Sequence, residues 1–491
     1  MIKKLRERSS INVITGLLFQ VINTILGIAL PYLFITNFGS ETNGLLSSIG
    51  QFFVYLGMLE AGVGTATIQA LYKPIAQNDR NTINRILSAT NKYYIKTGVI
   101  YFVLVLLLGL VYPLFVKTSI PYSTVAIVVF LNGAGSIWGF FVQAKYVLLL
   151  KAEGKLYILN ILSIITSVLK NVGKIVAIYL GYDLIVVYIV QFAVTVLVSS
   201  VILIYIRKQY EWIDLSVEPD YSSIYQKNAV LVQQITWIVF NHTDIMLLTL
   251  MTGDLVLVSI YSVYTLIYSS VQNLIDSVGN GFQYKIGGAA QGTTKAFFKY
   301  FEKYEIFYYF VGFSLNTIAY ILTVPFLKLY VGNAKDGNYM MPYLPTLFLA
   351  VQVLNTVRGV NKQPIEGAGH FIGTRKISIG EAIINIITSF ILVFRFKIYG
   401  VLIGTILALL FGTVMFFKYI NEKIFKTFSF RRSGKLLIYL PTVVIVSIVG
   451  KNVFPPAYNY LQLILYAIPL SLVCAVIFGI ESAAIVKRIK G

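Results

Sequence analysis

Acidic residues are scarce in this chain: 20 Asp and Glu stand among 491 residues, against 40 Lys and Arg, and charged residues make up only 12% of the total. A soluble domain carries about twice that share, because its surface must meet water. A single cysteine, Cys474, excludes a disulfide within the chain, and with two histidines there is no metal-ligand spacing either. Long polar stretches are also missing. The inner connectors, among them RKQYEWIDLSVEPDYSSIYQKN with 22 residues, have at most 26 residues and the outer ones have fewer than ten. No folded extramembrane domain fits, and no catalytic constellation of the kind such a domain would carry is visible.

What is present is apolar: 57% of the residues are hydrophobic. They fall into runs of about 20, the length that crosses a hydrocarbon core of about 30 Å. The spans read as 12–36, 43–70, 97–116, 122–144, 156–180, 184–206 and 229–252, then 255–280, 306–331, 341–366, 377–394, 398–417, 436–454 and 460–480. Lipid satisfies no backbone polar group, and none of the runs alternates as a barrel strand does. The expected fold is therefore an all-α polytopic membrane protein of about fourteen helices. Its organisation reads as a lobe of six helices over 1–206, a cytoplasmic loop over 207–228, a second six-helix lobe over 229–417, and two further helices with a basic end over 418–491. The opening MIKKLRERSS precedes a run too long for a signal h-region and lacks a cleavage site, so it reads as the start of a retained first span.

The cations alternate from side to side. Every second connector and both ends hold 30 of the 40 Lys and Arg, and the opposite side holds six: Lys117, Lys328, Lys335, Arg395, Lys397 and Lys451. By the positive-inside rule both termini are cytoplasmic, and the net charge of +20 meets anionic membrane lipids rather than nucleic acid. Two inner connectors, RNTINRILSATNKYYIK and TTKAFFKYFEKYEIFYYF, pair basic with apolar residues at helical spacing, as interfacial helices do.

Four cations remain inside spans, and they belong to polar stripes with residues three and four apart, hence on one helix face. The fifth span carries Asn160, Ser163, Ser167, Lys170 and Lys174. The eighth carries Ser262, Thr265, Ser269, Gln272 and Asp276, flanked by Tyr261, Tyr264 and Tyr268. The first offers Asn12, Gly16, Gln20, Asn23 and Gly27, the seventh Gln233, Trp237, Asn241 and Asp244, and the tenth Asn355, Arg358, Lys362 and Glu366. Small and polar residues also serve helix packing. A lysine or arginine at a helix centre, by contrast, costs roughly 2.5–3.5 kcal/mol on insertion. Lys174 and Lys362 lie near span ends, where a long side chain can snorkel, whereas Lys170 and Arg358 point to a hydrated cavity receptive to an anion, phosphate above all. Lys170, Lys174, Arg358, Lys362, Gln272, Asn23 and Gln20 are the candidate binding residues.

Glu60, Asp244, Asp276 and Glu381 are the deep acids. Each neutralises a nearby cation or couples transport to H+ or Na+, and Glu60, Asp244, Asp276 and His242 are the coupling candidates. His242 and Asp244, two residues apart on a helix, point to different faces and make no acid/base pair. Aligning LGMLEAGVG with QNLIDSVGN superposes Glu60 on Asp276, a trace of duplication into two lobes of parallel orientation. No organic cofactor and no metal cluster is expected.

The segments INVITGLLFQVINTILGIALPYLFITNFGSETNGLLSSIGQFFVYLGMLEAGVGTATIQ and AKYVLLLKAEGKLYILNILSII carry a resemblance. A polar first helix reaching Pro31, the FG…NG turn from Phe38 to Gly44, and Gly57 and Gly62 around an acid resemble the polysaccharide flippases of the multidrug/oligosaccharidyl-lipid/polysaccharide exporter superfamily. The resemblance implies two six-helix, MATE-like lobes around a central cavity, two additional C-terminal helices, and alternating access. It further implies translocation of undecaprenyl-diphosphate-linked oligosaccharide from the inner to the outer leaflet of the bacterial cytoplasmic membrane, with a polysaccharide polymerase and glycosyltransferases as partners. A cation-coupled multidrug exporter of MATE type would favour acidic cavity walls and twelve helices. A flippase for the peptidoglycan lipid precursor is the other alternative. An enzyme is the third class, and no site supports it.

Overall fold

The computed structural model describes the backbone of residues 2–60, 63–222, 227–290, 294–332, 334, 336–367, 370–425, 430–453 and 457–490. Sixteen helices follow in order: α1 (Ile2–Phe38), α2 (Ser40–Leu56), α3 (Val63–Gln77), α4 (Arg80–Phe115), α5 (Tyr122–Val142), α6 (Ala144–Ala152), α7 (Leu156–Tyr179) and α8 (Leu184–Gln209). Then come α9 (Lys227–Thr252), α10 (Leu255–Ala290), α11 (Thr294–Tyr330), α12 (Leu344–Gly367), α13 (Phe371–Phe396), α14 (Ile398–Tyr419), α15 (Phe430–Val453) and α16 (Tyr460–Lys490). Among the described residues, eleven helices are long and apolar enough to cross a membrane, or twelve if α2 and α3, bent by 41° at a break, are one span. The chain is a multi-pass, all-helical membrane protein.

The expected count of fourteen is not established. The described apolar part of α9 is Ile238–Thr252. α12 carries Gln352, Asn355, Arg358, Asn361 and Lys362 along its length, and residues of both helices recur in the site below. The two connectors read as interfacial helices are instead the opening turns of α4 and α11, continuous with the spans that follow.

Two compact units divide the chain: Met1–Ile238 with Gly253–Leu255, and Val239–Thr252 with Val256–Gly491. The boundary falls inside α9, and the C-terminal helices α15 and α16 belong to the second unit.

In the first unit the FG…NG turn has a steric reason. Gly39, between α1 and α2, sits at φ 85°, which an L side chain avoids. Gly44 lies so close to the start of α10 that a Cβ would stand 1.8 Å from the Leu255 carbonyl oxygen. Asp79 caps α4, its carboxylate accepting from the Thr82 amide at 3.0 Å and the Thr82 hydroxyl at 2.6 Å. Those bonds to the charged form hold this exposed carboxyl below its usual range. The connector after α8 is fastened to α4: Asn84 donates to the Trp212 carbonyl at 3.1 Å and Ser88 to those of Leu215 and Val217 at 3.0 and 2.8 Å.

In the second unit the core is aromatic, with Phe301, Tyr304, Tyr308, Tyr309, Phe313 and Tyr439 buried together. α15 is tied to α11 by Lys435, which reaches Glu305 at 2.6 Å and Glu302 at 3.7 Å.

Candidate functional site

The stripe of α7 meets α1 along the N-terminal part of its length. Asn12 accepts from the Tyr157 amide at 2.7 Å, Asn160 donates to Thr15 at 3.1 Å, and Ser167 donates to Asn23 at 2.7 Å. Asn171 continues the chain, donating to Ser167 at 3.4 Å. These amides and hydroxyls join two helices, as polar groups between membrane helices do. Asn23 is thus a packing partner, while Gln20 lies exposed on α1.

Beyond that seam stand the two lysines. Lys174 is 6% exposed, and its ammonium lies 4.8 Å from the centre of the Tyr188 ring of α8. Lys170, one turn earlier, is half-buried. Neither makes a hydrogen bond or an ion pair with any described residue. A cation–π contact contributes about 0.5–2 kcal/mol, less than the several kcal/mol that removing an ion from water costs. Two lysines a turn apart therefore stand without an anion among the described residues.

The other two intramembrane cations are different. Arg358 of α12 is held by Glu381 of α13, Nε to Oε1 at 2.6 Å and Nη2 to Oε2 at 2.9 Å. Its guanidinium also faces the rings of Phe240 and Phe416, 4.8 and 5.8 Å from their centres. Lys362 pairs with Glu366 on its own helix at 3.6 Å. The expectation that Arg358 opens onto a cavity as a free cation is corrected, because Glu381 already meets its charge.

The acids also separate. Tyr94 donates to Glu60 at 2.8 Å. Asp276 accepts from Gln272 at 2.9 Å and Tyr308 at 3.5 Å, and lies in the field of Lys362 and Arg358. Asp244 of α9 is the one with unmet demand. Its Oδ2 accepts from Tyr261 at 2.6 Å and Thr405 at 2.9 Å, while Oδ1 is buried without a hydrogen-bond partner. Asn385 lies against this carboxylate and donates to Thr405 at 3.0 Å, and its own Oδ1 is buried without a donor. Two buried oxygens without donors, one of them on a carboxyl group, form an arrangement that a proton between them or a small oxygen-seeking cation would complete. His242 is half-buried on α9. The side chains of Gln233 and Trp237 lie outside the described residues.

Two cations were misplaced by the sequence pattern, which assigns Lys145 and Lys435 to inner connectors. Lys145 is buried on α6, donating to Asn91 at 2.7 Å and to the Phe141 carbonyl at 3.3 Å, and Lys435 is the buried partner of Glu305. Asn385 and Thr405 were missed altogether, although Glu381, Asn385 and Ser389 recur every four residues on α13 and were the signal that could have found Asn385. Tyr264 and Tyr268 are fully buried and stacked on Phe348, each 5.3 Å from its ring centre.

In sequence the chain matches no family model and no curated protein. In fold it is similar to solved structures. The inward closed conformation of the lipid II flippase MurJ aligns with a TM-score of 0.67 over 94% of this chain and 98% of that one, at 16% identity. The inward-facing conformation of a multidrug resistance MATE family transporter of the MOP superfamily aligns at 0.65 over 82% and 94%, at 15% identity. An outward-facing MATE transporter aligns at 0.54 over 86% and 96%, at 16% identity. The class this defines is the MATE-like transporter fold.

Proposed function

We propose that the protein is a flippase that carries a lipid-diphosphate-linked oligosaccharide from the inner to the outer leaflet of a bacterial plasma membrane by alternating access. The reading rests on one observation: Lys170 and Lys174 stand in a membrane-spanning helix with no anion supplied by the described protein, whereas Arg358 and Lys362 have theirs. A phosphate group brought by the cargo supplies the missing charge through charge-assisted hydrogen bonds. An exporter of cationic drugs is disfavoured by the same pair, which repels such a cargo. The fold supports both classes of transporter, and anionic lipids of the inner leaflet suit the basic connectors of either.

The driving ion acts at Asp244, with Asn385 and Thr405 completing the oxygens around a proton or sodium ion. In this reading Glu60 and Asp276, each with a tyrosine donor, are structural.

The test is translocation by the purified chain in liposomes under imposed sodium or proton gradients. The reading expects accelerated flipping of a fluorescent lipid-diphosphate sugar, slower flipping of the monophosphate analogue, and loss of gradient dependence in Asp244→Asn. Transport of an organic cation with no action on the diphosphate lipid would contradict it.

A further inference from the structure

The Arg358–Glu381 pair lies where four helices meet. Arg358 comes from α12 and Glu381 from α13, while Phe240 of α9 and Phe416 of α14 bracket the guanidinium. Glu381 is 1% exposed and rests on α14 at Gly412, where a Cβ would stand 1.5 Å from Oε1. That glycine lets the carboxylate lie flat against the α14 backbone.

The same helices supply the oxygens around Asp244. Asp244 follows Phe240 by four residues on α9, and Asn385 follows Glu381 by four on α13, so each is the next neighbour along one helix face, about 6 Å on. Thr405 precedes Gly412 by seven residues on α14, two turns along the same face.

We infer that the Arg358–Glu381 pair is a positioning device for the Asp244 cation site. It fixes the axial register of α13 against α14 and α9, so that Asn385 and Thr405 meet the Asp244 carboxylate. The inference rests on the reading of Asp244 as the coupling site. A bidentate fork constrains both sliding and rotation, which a point charge does not. Buried ion pairs contribute little net stability compared with apolar replacements, but they can select one arrangement among several. Groups that orient metal ligands typically change affinity by roughly 10–100-fold when removed.

The test is cation-dependent thermal stabilisation of the purified full chain, titrated with sodium chloride against choline chloride at several pH values. Arg358→Lys keeps the charge but loses the fork, and the double variant Arg358→Met/Glu381→Gln removes both charges together. Both are expected to reach the membrane at wild-type abundance and to need roughly tenfold or more sodium, or a shifted proton concentration, for half-maximal stabilisation. Gly412→Ala, which displaces Glu381, should act in the same direction. Unchanged half-saturation in folded Arg358→Lys and in the double variant overturns the inference and leaves the coupling site standing. Loss of both variants from the membrane also overturns it, making the pair a folding element alone. A wild-type protein that responds to neither sodium nor protons removes the coupling site itself, and the positioning role with it.

Discussion

The Tyr94 hydroxyl of α4 donates at 2.8 Å to Glu60, which lies in the short helical turn Gly57–Glu60 between α2 and α3, 34 residues earlier. Asp276 likewise accepts from Tyr308, 32 residues along. The two acids are those that the alignment of LGMLEAGVG with QNLIDSVGN superposes, so each half of that match carries a carboxylate–tyrosine contact.

These contacts give a first prediction. Tyr94→Phe deprives Glu60 of its donor, and a buried acceptor left unmet costs about 1–3 kcal/mol. Membrane abundance and thermal stability should fall in Tyr94→Phe and recover in part in Tyr94→Phe/Glu60→Gln. Equal stability of wild type and Tyr94→Phe would show that the bond contributes nothing.

Lys435 gives a second. It stands between Glu302 and Glu305 on α11, so Lys435→Ala strands two carboxylates, and breaking a buried pair from one side costs about 3–5 kcal/mol. Detergent-purified Lys435→Ala should lose α15 and α16 to limited proteolysis before the rest of the chain. A wild-type digestion pattern would refute this.

Gly44 gives a third. A Cβ 1.8 Å from the Leu255 carbonyl oxygen forces the α2 backbone away from the start of α10, and overpacking of this kind costs roughly 1–3 kcal/mol. Gly44→Ala should lower the melting temperature, while Gly50→Ala, with open space at its Cβ, should not. Equal effects at the two glycines would remove the steric account.

Topology gives a fourth. The alternating basic connectors put the 207–228 loop inside and the 332–340 loop outside. Single cysteines introduced at Ser222 and Asn338 in a Cys474→Ala background separate the cases: an impermeant reagent added to intact cells should label position 338 and not 222. The reverse pattern would invert the orientation.

The all-helical membrane fold was legible because lipid makes hydrophobic run length nearly decisive. Polar periodicity located the residues of interest but not their partners. The i, i+4 spacing put Lys170, Lys174, Arg358 and Lys362 in one class, yet only the packing of α12 against α13 shows that Glu381 neutralises Arg358 while nothing described neutralises the other two of the opening stripe. Thr405 stayed invisible because a site assembled from three helices leaves no pattern on α14 alone, while Asn385 shares the i, i+4 spacing of Glu381 and Ser389 and was passed over. Lys435 looked like a connector charge because α15 begins before its apolar stretch, and Lys145 because its connector folds into the short helix α6, whose burial no spacing in the sequence reveals.

The most direct test of the account is the pair of measurements, stability and flipping, made on Lys174→Met. Methionine keeps the unbranched shape and removes a buried charge that has no counter-ion, so the empty protein should be as stable as wild type or more so. The cargo should then lose a charge-assisted contact worth roughly 1.5–3 kcal/mol, about tenfold to a hundredfold in affinity. The account therefore predicts an unchanged or raised melting temperature together with strongly reduced flipping of a lipid-diphosphate sugar, and the same split for Lys170→Met. Full flipping in both variants, or a fall in stability that accounts for the lost transport, would contradict it.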